Sequence, residues 1–444
     1  MLTFFNNGFY TFTCLLTFIL ILAALWRHNT PGVFAFAFGM QWVQVFAFIL
    51  WMNVRDKPMD FLSPSAPNAL IFACVGLLLM ALIIQLFINR SPQYSDQEFE
   101  AQAKLINPKK ILTLYLVSTV FLSSIGFVLG NTSGFAQILV TLSSFKWVFF
   151  MVYAYVAWIN KKNRLILLLI ILYEFTSGLY SFFSSFKEVL FYTLIVSISL
   201  IKQIKFRQFL IFLVVGFCLV ALFFTWTVIK GSYRQFLNQG KKQQVVNVSQ
   251  SEAFSMIGEK VSNLTWKNYQ MASGAALYRL QYLYHLAIVM DRIPTVVPHE
   301  NGKVWWDNIT FVLTPRLLFP NKPVYEATVK TNKYTGFRYA GMQKGASFSL
   351  GYFADSYVDF GYIGMFFPLA MLALFVGLIF RTFMNMHQMN LFFRLAIVNV
   401  TILNFASFEA DGLFLFGRLL TTFLVFLLLS KTVIPKIQNW LYKS

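Results

Sequence analysis

Charged residues are scarce in this sequence. Asp, Glu, Lys and Arg together make up 12% of its 444 residues, and hydrophobic residues make up 58%. An ordinary soluble domain carries about 25% charged residues. Because a water-soluble core could not bury this much apolar surface, the composition excludes an ordinary soluble enzyme and favours an integral membrane protein.

Cysteine and histidine are also rare. The three cysteines lie inside apolar runs without paired spacing, and the four histidines are scattered. This distribution argues against a disulfide framework, a zinc site or a histidine metal cluster. The patterns GxxxxGK, GxGxxG, HExxH and Asp-x-Asp are all missing. Their absence excludes the usual signatures of P-loop, dinucleotide-binding, zinc-protease and metal-dependent sugar-nucleotide sites.

Long apolar runs, in contrast, are abundant. A hydrocarbon core of about 30 Å needs about 20 apolar residues per helix. The runs predict an all-α, polytopic membrane protein with about eleven transmembrane helices, near 8–26, 32–52, 68–88, 111–130, 136–159, 165–185, 188–201, 208–229, 358–380, 391–409 and 412–430. No Lys or Arg precedes the first run, so we expect a retained first helix rather than a signal peptide.

Lys and Arg follow a regular pattern along the connections between these runs. Every second short connection is basic, and basic loops stay in the cytoplasm. The pattern predicts an external N-terminus, a cytoplasmic C-terminus and three parts: a bundle of about eight helices at 1–229, a large external loop at 230–357, and C-terminal helices with a short tail at 358–444. The net charge of +19 sits at the ends of apolar runs, which fits membrane topology better than nucleic-acid binding.

The predicted external loop is long enough to carry function. It holds 10 Lys and 5 Arg against 3 Asp and 4 Glu, a net charge of +8. Either an anionic ligand or anionic lipid headgroups would explain this excess. Ser249 and Glu252 form a capping-box pattern that predicts one helix, and a second helix is expected from about 273 to Asp291.

Two segments late in the loop carry candidate functional residues. In the first, Pro315, Pro320 and Pro323 restrict the backbone around Arg316 and Lys322. These two cations suit a phosphate group, but a rigid surface turn with solvated cations explains them equally. In the second segment, Asp355 and Asp359 are four residues apart and share a helix face. Asp355 is a candidate general base, the alternative being a helix-start acid that favours the dipole.

Several charges lie within or beside apolar runs, where burial is costly and function is therefore common. They are Lys187, Glu188, Glu409, Asp411 and Arg418. Pairing of Arg418 with Glu409 or Asp411 is the structural alternative to a role in binding.

These segments resemble the Wzy-like family, the O-antigen and oligosaccharide-repeat-unit polymerases of bacterial surface polysaccharide synthesis. The resemblance rests on Pro-Arg-x-x-x-Pro-x-Lys-Pro at 315–323 and on Asp355-x-Tyr357-x-x-Phe360-Gly361-x-x-Gly364 entering a helix. It also rests on Ser184-Ser185-Phe186-Lys187 and on the whole-chain plan. The chain departs from the family pattern in having Asp at 355 where Glu is usual, and Lys at 187 where Arg is more frequent.

The resemblance implies a GT-C-like helical bundle and a glycosyltransferase without metal, nucleotide or other cofactor. In this family an acceptor hydroxyl attacks the anomeric carbon of a lipid-linked glycan, and undecaprenyl diphosphate leaves. The implied catalytic residues are Asp355, as first choice, and Glu409. Implied contacts to diphosphate or glycan come from Lys187, Arg316, Lys322, Arg338, Lys344, Tyr352, Tyr357 and Arg418.

The same resemblance implies a multi-pass protein of the bacterial inner (plasma) membrane that makes O-antigen, capsule or exopolysaccharide. Its expected partners are the undecaprenyl-diphosphate-linked oligosaccharide, the lipid bilayer and, in the same pathway, a chain-length regulator and a flippase; no nucleic acid is expected. Two alternatives stay open, an O-antigen ligase-type transferase and a polysaccharide flippase or transporter. A transporter should show repeated halves and broken helices, and the sequence shows neither.

Overall fold

The protein is all-helical, as the sequence predicts. The computed structural model describes residues 7–129, 136–182, 185–203, 205–241, 246–316, 318–341 and 347–442. Helix accounts for 75% of the structure, and the described residues contain no strand. The first ten helices are α1 (Gly8–Leu25), α2 (Val33–Val54), α3 (Ala66–Asn89), α4 (Asp96–Leu105), α5 (Pro108–Leu129), α6 (Ala136–Ser143), α7 (Lys146–Ile159), α8 (Arg164–Leu179), α9 (Phe186–Leu200) and α10 (Phe206–Leu237).

The second half of the chain contributes ten more helices to the described structure. Five of them belong to the segment between 230 and 357. The ten are α11 (Gln250–Ser262), α12 (Trp266–Leu280), α13 (Leu283–Arg292), α14 (Lys303–Leu313), α15 (Ala327–Thr335), α16 (Tyr352–Gly364), α17 (Phe366–Met384), α18 (Leu391–Leu403), α19 (Gly412–Thr432) and α20 (Ile434–Tyr442).

Seven helical segments of the described chain are long and apolar enough to cross a membrane: 8–25, 33–54, 66–89, 137–159, 213–237, 366–384 and 412–432. Each of the eleven predicted runs overlaps a helix. However, α8, α9 and α18 have only 16, 15 and 13 residues, fewer than a straight membrane crossing needs. The helical membrane class is thus supported, and the number eleven stays a prediction.

Local sequence explains where the helices of the long segment begin. The predicted capping box at Ser249 is confirmed, because its hydroxyl accepts from the Glu252 amide while the Glu252 carboxylate accepts from Ser249. The single helix predicted from 273 to Asp291 is wrong, since α12 and α13 are separate. The chain turns at Gln281, whose side chain accepts a hydrogen bond from the Tyr284 amide, and the Tyr282 amide donates to the Gln44 carbonyl.

Two hydrophobic cores hold these helices together. The large one joins the early helices α1–α3 to α7, α13 and α16–α19. The smaller one consists of Phe186, Trp226, Ile229, Tyr233, Leu237 and Ala253, and it ties the start of α9 to the end of α10 and to α11. Gly178, near the end of α8, lets α8 approach the start of α9 closely, because a Cβ there would lie 2.3 Å from the Phe186 amide nitrogen.

Candidate functional site

The loop between α18 and α19 fixes the position of Glu409. On one side of it, the Phe408 amide donates to the Gln44 side chain over 2.7 Å. On the other side, the Ala410 carbonyl accepts from the Tyr352 amide over 2.8 Å. The backbone around Glu409 is therefore held by α2 and α16, while its side chain remains exposed.

Three basic side chains lie near this carboxylate and two more lie near those three. Together with Glu409, these five cations are called the cationic cluster below. Glu409 interacts electrostatically with Arg279, Lys187 and Arg418. Lys187 in turn interacts with Arg279 and Arg234. Lys230 interacts with the same two arginines and with Lys187. Five cations against one carboxylate give the cluster a net formal charge of +4.

The smaller hydrophobic core places three of these cations. Phe186 is buried in it, which positions the adjacent Lys187 at the start of α9. Ile229 and Tyr233 on α10 are buried in the same core, and each precedes one of the cations Lys230 and Arg234 by one residue. Arg279 lies in the last turn of α12, which packs against α10. Packing therefore collects like charges that would otherwise repel.

The cationic cluster is open rather than internally neutralised. Lys187, Arg279, Glu409 and Arg418 are exposed, and Lys230 and Arg234 are partly so. Glu409 forms no ion pair with any residue that the structure describes. Partial burial raises the pKa of Glu409 above its ordinary value, against the opposing effect of Arg279, Lys187 and Arg418. An open set of cations around one carboxylate can receive an anionic group and accept a proton beside it.

A second group of charges includes Asp411, two residues after Glu409, and is buried rather than exposed. Lys330, Asp355 and Asp411 form what we call the buried triad. The Lys330 ammonium contacts Asp355 Oδ1 at 2.7 Å and Asp411 Oδ2 at 3.2 Å. Both carboxylates are fully buried and the lysine side chain is 12% exposed.

Hydrogen bonds to Asp355 Oδ2 and to both oxygens of Asp411 complete the buried triad, whereas Asp355 Oδ1 has only its contact with Lys330. Asp355 accepts from the Gly412 amide at 2.9 Å and from the Asn308 side chain at 3.4 Å. Asp411 accepts from the Leu350 amide at 2.7 Å and from the Tyr325 hydroxyl at 2.7 Å. The triad thereby ties α14, α15 and α16 to the start of α19.

Electrostatics within the buried triad follow from its burial. Desolvation raises the pKa of Asp355 to about 6, although Lys330 opposes the shift. Burial alone would lower the pKa of Lys330, but the two carboxylates outweigh it and raise the pKa above its ordinary value. The lysine is therefore held in its charged form between the acids.

The predicted shared face of Asp355 and Asp359 is confirmed, since both side chains on α16 are buried. Asp359 caps α14 by accepting from the amides of Val304, at 3.0 Å, and Trp305, at 2.8 Å. Because both acids satisfy buried backbone donors, they fix elements of the long segment to one another.

The two cations of the proline-rich turn, Arg316 and Lys322, donate to nearby backbone carbonyls. Arg316 donates to the Pro323 carbonyl at 2.8 Å. Lys322 donates to the carbonyls of Phe311 and Thr314, and its ammonium lies 3.5 Å from the centre of the Phe311 ring. The two cations are close to each other, but no contact joins them to the cationic cluster.

The remaining predicted site residues fall in different places. Tyr352 and Tyr357 are fully buried, and their hydroxyls donate to Gln41 and to the Ile293 carbonyl. Neither ring has a face open to a sugar, so burial argues against the stacking role expected from sequence. Arg338 lies in a separate aromatic pocket. Lys344 lies outside the described residues.

Sequence reasoning missed three members of the cationic cluster and the lysine of the buried triad. Lys230 and Arg234 are four residues apart at the end of an apolar run, a spacing that places them on one helix face and could have found them. Arg279 and Lys330 carry no such signal, because their positions depend on helices that meet only in the folded chain. Among the described residues, no three His, Cys, Asp or Glu are grouped to hold a metal ion.

The helical fold and the seven long apolar segments define a helical membrane protein. Within that class, the chain belongs to the family of DUF8712, described as a domain of unknown function, which matches residues 69–427. The match includes every residue of the cationic cluster and of the buried triad. No curated protein and no solved structure matches the chain.

Proposed function

We propose that the chain is a glycosyltransferase that joins oligosaccharide units carried on undecaprenyl diphosphate into a surface polysaccharide. The observation that carries the proposal is the cationic cluster, an open group of five cations of which Lys187, Arg279 and Arg418 lie near the positioned carboxylate of Glu409. The resemblance of the sequence to repeat-unit polymerases supports the same reaction.

A glycan on a lipid diphosphate needs what this arrangement supplies. During transfer, the bond from the anomeric carbon to the diphosphate oxygen breaks and the oxygen keeps the electron pair. Fixed cations stabilise the charge that develops on this leaving group. Lys187, Arg234 and Arg279 are the candidates to bind it, with Lys230 and Arg418 beside them.

Glu409 is the proposed general base. It takes the proton of the acceptor hydroxyl as that oxygen bonds to the anomeric carbon. A base must lie within reach of the hydroxyl and be unprotonated. The exposed carboxylate of Glu409 is open to an acceptor, and Arg279, Lys187 and Arg418 favour its unprotonated form against the effect of burial. Asp355, the first choice from sequence, is fully buried and paired with Lys330. We therefore assign Asp355 to positioning the loop that carries Glu409, through Gly412.

The place of these residues along the chain suits a substrate at the membrane surface. Lys187 begins α9, Lys230 and Arg234 lie in the last third of α10, and Arg418 lies in the second turn of α19. In the predicted topology all three positions lie at the outer face of the membrane, where we propose that the diphosphate of the lipid-linked substrate lies. The long segment between 230 and 357 then covers the external side.

A reconstituted assay tests the proposal. The full chain is placed in proteoliposomes with undecaprenyl-diphosphate-linked repeat units extracted from cells that lack this gene. We expect a ladder of polymers on a gel with the wild type, and single units only with Glu409→Gln. Glu300→Gln, a substitution of a carboxylate outside the cationic cluster, serves as the control and should give the wild-type ladder.

Other outcomes separate the alternatives. Transfer of the glycan to lipid A core, without joining of lipid-linked units, would identify a ligase. Movement of the lipid-linked unit across the vesicle bilayer, with no new glycosidic bond, would identify a flippase. A normal ladder from Glu409→Gln would overturn the assignment of the base.

A further inference from the structure

A second feature of the long segment lies next to the cationic cluster and is not needed for the diphosphate. It is an open pocket of about 640 Å³ between the end of α2, α12, α13 and the segment before residue 341. Its lining includes the aromatic residues Trp51, Tyr278, Tyr284, Phe337 and Tyr339 and two arginines, Arg55 and Arg338. Among the residues that the structure describes, no Asp or Glu lines it.

Both arginines are available to a ligand. Their side chains are exposed, and neither takes part in an ion pair within the described parts of the chain. The Arg55 guanidinium stacks 4.6 Å from the centre of the Trp51 ring, which orients its donors. Guanidinium groups bind carboxylates through paired hydrogen bonds.

Trp51 also lines the pocket, and its side chain is 4% exposed. Its buried indole N–H has no hydrogen-bond partner among the described residues, although buried polar groups in folded proteins are nearly always satisfied. The exposed part of the Trp51 ring adds an apolar surface beside Arg55.

The pocket and the cationic cluster share structural elements. Tyr278 lines the pocket and the next residue, Arg279, belongs to the cluster. On α13, Tyr284 lines the pocket, while His285 stacks on Tyr282 with ring centroids 4.4 Å apart. Tyr282 interacts electrostatically with Glu409. The pocket and the proposed base are therefore connected through neighbouring residues at the end of α12 and the start of α13.

We infer that this pocket binds an acidic sugar, one bearing a carboxylate, within the glycan that the protein joins. Aromatic rings pack against the apolar faces of a sugar ring, and the two arginines bind its carboxylate. The inference rests on the proposed function, which supplies the glycan. It adds that the repeat unit contains a uronic acid or a related acidic sugar.

Binding is measured on the full chain in detergent, without any lipid-linked donor. The probes are matched pairs that differ in one carboxylate: cellobiouronic acid with cellobiose, and digalacturonic acid with galactobiose. Saturation-transfer NMR and calorimetric titration should show at least one acid bound about tenfold or more tightly than its neutral partner, which corresponds to about 1.4 kcal/mol.

Three variants localise the effect. Arg55→Gln combined with Arg338→Gln should remove the preference for the acid. Ala275→Trp, at an exposed position in the pocket lining, should block binding of both sugars of a pair. It tests the pocket independently if the double arginine variant does not fold. Lys303→Gln, an exposed cation elsewhere in the segment, should bind as the wild type does.

Equal affinity within every pair, or an acid preference that survives the double arginine variant, would overturn the inference. A lipid measurement in phosphatidylglycerol nanodiscs gives another opposing outcome. If the double arginine variant loses a bound anionic lipid that the wild type retains, the pocket holds a lipid headgroup and the inference is overturned. Acid binding that is present while the polymer ladder is absent would count against the proposed function alone. A ladder without acid binding would count against the pocket alone.

Discussion

Glu409 and Asp411 are two residues apart in one loop, yet they lie in opposite electrostatic settings. Glu409 is exposed near Lys187, Arg279 and Arg418 and has no ion pair with a described residue. Asp411 is fully buried and paired with Lys330. The contrast separates a charge that stabilises the fold from a charge that is left open, and we propose chemistry only for the open one. A carboxylate whose oxygens are all satisfied holds helices together, whereas an open one is available to substrate.

The sharpest way to break this comparison is to neutralise the open carboxylate. Glu409→Gln should lower polymerisation by about 100- to 10,000-fold, because the acceptor hydroxyl loses its base. Thermal unfolding in detergent should stay unchanged, since no fold-stabilising ion pair is lost. A variant that is both inactive and clearly less stable would place Glu409 with the structural charges instead.

Lys330→Met is the corresponding test of the buried triad. It leaves Asp355 and Asp411 without their cation, and loss of one partner from a buried ion pair costs about 3–5 kcal/mol. We expect a lower unfolding temperature and less protein in the membrane. The matched control on the same helix is Lys333→Met. Lys333 pairs with Glu300 but is itself 53% exposed, so its loss should cost about 1 kcal/mol or less. An equal loss of unfolding free energy in the two variants would show that burial of the triad adds nothing to its stabilising effect.

A third variant sharpens the role of the cations. Arg279→Ala should weaken binding of undecaprenyl diphosphate by roughly 10- to 100-fold, since hydrogen bonds to charged groups contribute about 1.5–3 kcal/mol. Calorimetric titration in detergent would measure it. Lys267→Ala, an exposed cation near the other end of α12, is the control and should bind normally. The same loss in both variants would show a general effect of charge rather than a site.

The smallest expected effect concerns pH. Polymerisation should rise with pH as Glu409 loses its proton, and burial raises the pKa of this group while Lys187 lowers it. Lys187→Ala removes a stabilising cation from the ionised form, so the acid limb of the pH–rate profile should move upward by about one unit. Lys260→Ala on α11 should leave the limb in place. A downward shift in Lys187→Ala would exclude Glu409 as the titrating base.

The sequence predicted the helices better than the site, and particular residues show why. Apolar runs and capping patterns are local, so α1–α3 and the start of α11 could be found directly. Glu409, Lys187 and Arg418 could be named because charge beside apolar sequence is unusual. Lys330 lies in a polar stretch and looks like any solvated lysine. Its burial depends on α15 meeting the start of α19, a contact between segments about 80 residues apart that no local pattern encodes.

The positioned loop around Glu409 also has a consequence for synthesis of the protein. Its anchors are Gln44, from an early helix, and Tyr352, from a late one, and the loop leads directly into α19. A ribosome delivers these segments in that order. The proposed base therefore takes its position only after α16 and the loop before α19 have both been made, and under the proposed function a shorter copy lacks its complete site.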